Sequence, residues 1–112
     1  MTRILAIEPF YGGSHRAFLD GLIERSRHEF RLLALPPVFW KWRMRGAAIT
    51  LADKAGKLEF TPDLLLATDM LSLAEFKALA RLDLPALLYM HENQLSYPVH
   101  QNDPRDLHFG FT

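Results

Sequence analysis

Four short apolar runs punctuate the chain: Ile4-Leu5-Ala6-Ile7, Phe30 to Leu35, Leu64-Leu65-Leu66-Ala67 and Ala86-Leu87-Leu88-Tyr89-Met90. Each is too short for a helix and is closed by proline, glycine or a polar cluster, the mark of a strand buried on both faces. They predict strands near 3–8, 29–35, 63–68 and 86–91. Between the first two, Phe18, Leu19, Leu22 and Ile23 recur at helical spacing and predict a helix from an N-cap at Ser14 to about Ser26. Between the last two, Ser72 and Glu75 form the sequence of a capping box. The helix they open carries Leu73, Phe76, Leu79 and Ala80 along one side. Residues Trp40 to Ala55 are ambiguous. Trp40, Trp42 and Met44 alternate with Lys41, Arg43 and Arg45 in a strand's period of two, while Ala47 to Ala52 suits a helix or a short strand. A helix is the favoured reading. Strands alternating with amphipathic helices imply an α/β, doubly wound, Rossmann-like domain, with a parallel sheet, right-handed crossovers and helices on both faces.

Composition narrows the class. The 112 residues suffice for one small domain, and no internal repeat or linker divides them. Thirteen basic side chains balance thirteen acidic ones, so net charge makes no case for a polyanionic partner, although local patches still can. Cysteine is absent, which excludes disulfides and thiolate metal sites. No apolar stretch approaches the ~20 residues of a membrane span. A soluble, cytoplasmic protein is expected. The last residues, Asp106 to Thr112, hold Phe109 and Phe111 without a closing helix or charged tail. This reads as a fragment of a longer protein.

Parallel sheets place their chemistry in loops at the carboxyl ends of the strands, where strand order reverses. Here those loops are 8–15, 67–72 and 91–97. They bring Gly12, Gly13, Asp69, His91 and Glu92 towards one another. Gly12-Gly13 before a helix start permits close backbone approach to a ligand, and the helix N-terminus favours an anion. Against this stands the plain reading of a tight turn, and the pair is no G-x-G-x-x-G fingerprint. His15 falls in the first helical turn, where a surface or staple position is the expectation. His91-Glu92 is suited to a general base or to hydrogen bonds with sugar hydroxyls; it is equally suited to satisfying backbone groups at a strand end. Trp40-Lys41-Trp42-Arg43-Met44-Arg45 interleaves aromatic and cationic side chains as nucleic-acid surfaces do; for a neutral protein, an amphipathic edge with Trp packed inward and a solvated basic face is the slightly favoured reading. His100, Asp103, Asp106 and His108 have no compact ligand spacing, so no metal site is expected.

Several blocks together resemble one family. They are Glu8-Pro9-Phe10-Tyr11-Gly12-Gly13-Ser14-His15, Trp40 through Gly46, Ser72-Leu73-Ala74-Glu75-Phe76, His91 through Pro98, and His108-Phe109-Gly110-Phe111-Thr112. In this order they resemble the N-terminal domain of the tRNA-queuosine alpha-mannosyltransferases, glycosyltransferase-like proteins with two facing Rossmann-type domains (the GT-B architecture). The resemblance implies that residues 1–112 are part of the acceptor-side domain and that the donor-binding domain is absent from this chain. It implies a retaining enzyme that moves mannose from GDP-mannose to queuosine in a tRNA anticodon, with no cofactor and no membrane. This chain alone is then expected to be inactive. His91 and Glu92 take catalytic positions. Gly12, Gly13, Ser14, His15, Asp69 and Asn93 take substrate-binding ones. Trp40, Lys41, Trp42, Arg43 and Arg45 become candidates for RNA contact. Two other readings remain: a free-standing Rossmann-like module that binds a nucleotide or RNA without turnover, and a structural domain that uses its aromatics for assembly.

Overall fold

A computed structural model describes residues 1–91. Its elements run β1 (Arg3–Glu8), α1 (Gly13–Arg25), β2 (Glu29–Ala34), α2 (Trp40–Gly56), β3 (Leu64–Thr68), α3 (Leu73–Ala80) and β4 (Ala86–Tyr89). The four strands form one parallel sheet in the order β2-β1-β3-β4. The strands fall where the apolar runs place them, and the sheet is parallel as the alternation requires. β1 lies inside, with β2 on one flank and β3 on the other, so strand order reverses beside it.

The two-residue period of the strands sorts the core into two layers. Leu5 and Ile7 of β1, Leu33 of β2, and Leu65 and Ala67 of β3 meet α2 and α3 on one face. Ile4, Ala6 and Leu66 meet Leu19 of α1 on the other. Right-handed crossovers account for this split, because β1 to β2 steps one way across the sheet and β2 to β3 to β4 steps back. In α2 the buried stripe is Met44, Ala47, Ala48, Leu51 and Ala52, a helical spacing whose alanines let the helix lie close to the sheet. The strand-like alternation of Trp40 to Arg45 is thus incidental. Met44 turns inward, while Trp42 is 62% exposed, the reverse of an inward-Trp face. In α3, Phe76 is fully buried, a burial that contributes about 1.5–3 kcal/mol.

Three local expectations change. The N-cap of α1 is Gly12, and Ser14 lies inside the first turn, exposed. Ser72 is the N-cap of α3, yet no side-chain capping bond forms there, and the Phe76 N–H bonds to the Ser72 carbonyl as in any helix. Leu79 points away from the core at 54% exposure, one helical step past the buried stripe.

Candidate functional site

The strand period also decides what stands at the carboxyl edge. Glu8 continues the parity of Ile4 and Ala6, so its side chain points to the α1 face. Thr68 continues the parity of Leu66. β1 and β3 are in register at Ile7 and Ala67, which brings Glu8 and Thr68 side by side. Thr68 pairs in turn with Tyr89, and His91 lies two residues further along the same parity. A period of two therefore delivers Glu8, Thr68, Tyr89 and His91 to one face, above the first turns of α1.

Glu8 is completely buried, and its carboxylate is surrounded by donors. The Thr68 hydroxyl donates to Oε1 at 2.8 Å, and the Phe10 backbone N–H donates to Oε2 at 3.1 Å. His15 Nδ1 lies 2.8 Å from Oε1. A carboxylate is an acceptor, so His15 carries its proton on Nδ1 and donates, leaving Nε2 as the ring's second functional nitrogen. Burying a carboxylate costs several kcal/mol unless it is paired and hydrogen-bonded, and here it is both. His15 is buried as well, which overturns the expected surface position. The deciding partner, Glu8, sits seven residues earlier on another element.

The His15 and His91 rings lie 3.9 Å apart, tilted by 33°. Phe10 meets His15 edge-on, and Tyr89 and Phe18 meet His91 edge-on at 4.9 and 5.6 Å. Phe18 and Tyr89 stack at 3.9 Å. An aromatic wall from α1 and β4 thus holds two imidazoles and a carboxylate at the sheet edge. Such a set can orient hydroxyl groups, accept or return a proton, and stabilise positive charge beside the buried carboxylate. Donor atoms of Glu8, His15 and His91 also lie within 4.8 Å of one another, the composition of a metal site that spacing along the chain does not reveal. The stacking argues against one in this arrangement. Imidazoles sharing an ion at ~2.0–2.1 Å fan out around it instead of lying face to face. With Nδ1 bonded to Glu8, His15 could offer an ion only Nε2.

The glycine loop closes the edge over β1. A Cβ on Gly12 would come within 2.5 Å of the Pro37 Cβ, so glycine at this position allows the β2–α2 loop to pack against it. Gly13 has φ of +54°, the left-handed region, and nothing lies within 4 Å of where its Cβ would stand. One glycine therefore serves packing, and the other leaves open space at the helix start. No side chain caps α1, so its first N–H groups face the same edge and suit an anion. Asp69 directly follows Thr68 there. Glu92 and Asn93, and the cluster His100, Asp103, Asp106 and His108, lie outside the described residues. Sequence reading passed over Glu8 and Thr68 as site residues. The usable signal was Glu8's parity at the end of a wholly apolar strand.

The basic strip begins at the same edge, because α2 starts after the carboxyl end of β2. Its side chains part ways. Arg43 Nε donates to the Pro36 carbonyl at 3.4 Å, Lys41 Nζ stands 5.6 Å above the Trp40 ring, and Trp42 and Arg45 are exposed.

These features define an α/β domain of Rossmann-like form with a polar, partly buried site at the carboxyl edge of its sheet. The chain belongs to the tRNA-queuosine alpha-mannosyltransferase N-terminal family, whose model matches residues 3–112. It is 43% identical over 112 residues to the tRNA-queuosine alpha-mannosyltransferase of Drosophila melanogaster, a match covering 96% of this chain and 29% of that protein. The chain thus spans less than a third of that relative's length. No solved structure matches it with significance.

Proposed function

We propose that this chain is the acceptor-side portion of a retaining glycosyltransferase that transfers mannose from GDP-mannose to queuosine in tRNA. The observation that carries the reading is the identity with the Drosophila mannosyltransferase across almost the whole chain. The site chemistry supports it. Transfer of a sugar from a nucleoside diphosphate to an acceptor hydroxyl, with the diphosphate as leaving group, needs hydrogen-bonding groups fixed near the reacting carbon and a place for the donor phosphates. His91 and the Glu8–His15 pair suit the first, and the uncapped start of α1 with the open space at Gly13 suits the second. The remaining donor contacts belong to a second Rossmann-type domain outside this chain, in a GT-B arrangement, and the enzyme works in the cytoplasm without a cofactor. The test uses the complete protein with GDP-mannose labelled in the sugar and tRNA that either carries or lacks queuosine. Label should enter only the queuosine-containing tRNA. Absence of transfer with active, folded protein, or transfer to tRNA lacking queuosine, would refute the assignment.

A further inference from the structure

Phe39 is the N-cap of α2 and holds φ of 54° and ψ of 53°, the left-handed conformation. For a bulky residue this is an outlier, and it costs on the order of 1 kcal/mol or more. The side chain recovers little of that by burial, since it is 74% exposed. Trp42, three residues on, is 62% exposed. Phe39 is the cap and Trp42 lies in the first turn, so both aromatics stand at the same end of α2. Strained backbone that presents exposed apolar rings is better explained by what the rings meet than by the fold.

Charge indicates the partner. The chain is neutral overall, yet from Phe30 to Ala52 it contains Arg31, Lys41, Arg43 and Arg45 and no acidic residue. The last three flank the aromatic pair. Aromatic faces beside cations are how proteins hold unpaired nucleotides: bases stack on rings while phosphates meet the cations. Position links the pair to the site. The Tyr11 N–H donates to the Leu35 carbonyl at 3.0 Å, and Pro37 packs on Gly12, so the loop carrying Phe39 is tied to the glycine loop.

We infer that Phe39 and Trp42 form a stacking platform for an unpaired base of the RNA acceptor, next to the nucleotide being modified. The inference rests on the RNA-acceptor reading above and deepens it. The left-handed backbone of Phe39 turns its ring out to the platform, so the strain is kept for binding.

The test measures binding of an anticodon stem-loop RNA to the complete protein by fluorescence anisotropy, together with thermal unfolding. Phe39→Gly removes the ring and suits the left-handed backbone. Trp42→Ala removes the second ring, and Trp42→Phe keeps a stacking face. Phe39→Gly should weaken RNA binding roughly 5- to 150-fold, the span of one lost base–aromatic stack. Its unfolding temperature should be unchanged or raised. Trp42→Ala should weaken binding over a similar range, and Trp42→Phe should restore most of it. The dependence on salt should stay that of the parent, because no cation is removed. Parental affinity in both Phe39→Gly and Trp42→Ala would overturn the platform. A lowered unfolding temperature in Phe39→Gly would also overturn it, since the ring would then be packed by another part of the polypeptide. If the parent itself bound no RNA, the acceptor reading would fall, an outcome distinct from either.

Discussion

The imidazole of His15 donates to one oxygen of Glu8, and the Thr68 hydroxyl donates to that same oxygen, each across 2.8 Å. Three segments of the chain, the ends of β1 and β3 and the first turn of α1, are thereby fastened to a single buried atom. Replacing Glu8 by Ala should cost about 3–5 kcal/mol in chemical denaturation of the complete protein, because it strands His15, Thr68 and the Phe10 N–H without their acceptor. Thr68→Val should cost less, about 1–3 kcal/mol. Equal, small losses for both would show that the carboxylate is not the fastening point.

His91 is attached differently. It sits just past β4 against aromatic rings and terminates no core layer. His91→Ala should leave unfolding close to parental while lowering kcat for mannose transfer by ~10²–10⁴-fold. A parental kcat would make the residue structural.

Gly12 and Gly13 should respond to substitution for different reasons. Gly12→Ala forces a contact with Pro37 and should cost about 1–3 kcal/mol, as overpacking does. Pairing it with Pro37→Gly should lose less than the two single losses combined, since the clash is then gone. Gly13→Ala meets no neighbour but must hold a left-handed φ, at about 1–2 kcal/mol, and Gly13→Asn should be milder. Denaturation curves of the five variants, the Pro37→Gly single included, decide this; equal costs for Gly13→Ala and Gly13→Asn would contradict it.

For the basic strip, replacing Lys41, Arg43 and Arg45 together by Ala should weaken tRNA binding and flatten its salt dependence, by about one unit of slope for each cation that meets a phosphate. Arg43 should contribute least when changed singly, because its guanidinium is turned back to the Pro36 carbonyl. Titrations at two salt concentrations read this directly. A slope identical to the parent's would remove the strip from the RNA interface.

On the outer side of α1, the Tyr11 hydroxyl donates to Asp20, and Arg16 approaches both. The Tyr11 bond, with help from Arg16, lowers the Asp20 pKa below its ordinary 3.8, and the same bond raises Tyr11 above 10.0. A lowered carboxyl pKa contributes stability that is present above 3.8 and lost as pH falls through the folded value. A raised phenol pKa contributes stability that is present below 10.0 and lost as pH rises through the folded value. The pair therefore favours folding between those limits. In Tyr11→Phe the Asp20 titration, followed by carboxyl NMR, should move back up; an unmoved midpoint would assign the shift to Arg16.

How much of this was legible beforehand follows from the range of each signal. Ile4 to Ile7 and Leu64 to Ala67 announce strands because both faces of each run are apolar, a purely local property. Given the strand order, crossover handedness puts α1 on one face and α2 and α3 on the other. Glu8 and His15 were harder, because burial of a charged side chain depends on a partner across the fold, here Thr68 and each other. Trp40 to Arg45 misled in detail because six residues with one inward position, Met44, carry too little pattern to separate a period of two from one of 3.6. Phe39 gave no warning, since backbone strain leaves no mark on residue type unless the residue is glycine or asparagine.

The sheet stops, among the described residues, at β4, whose Leu87, Leu88 and Tyr89 are all substantially exposed. A parallel strand with an open ladder and apolar side chains on both sides is a template on which another strand can grow. Where no further strand covers that edge, copies of the chain would pair along it, and β-rich assemblies would form at raised concentration in place of a monomer. A charged residue at position 88, on the face opposite Tyr89 and His91, would act there as a gatekeeper, holding the copies apart without disturbing the aromatic wall beside the Glu8–His15 pair.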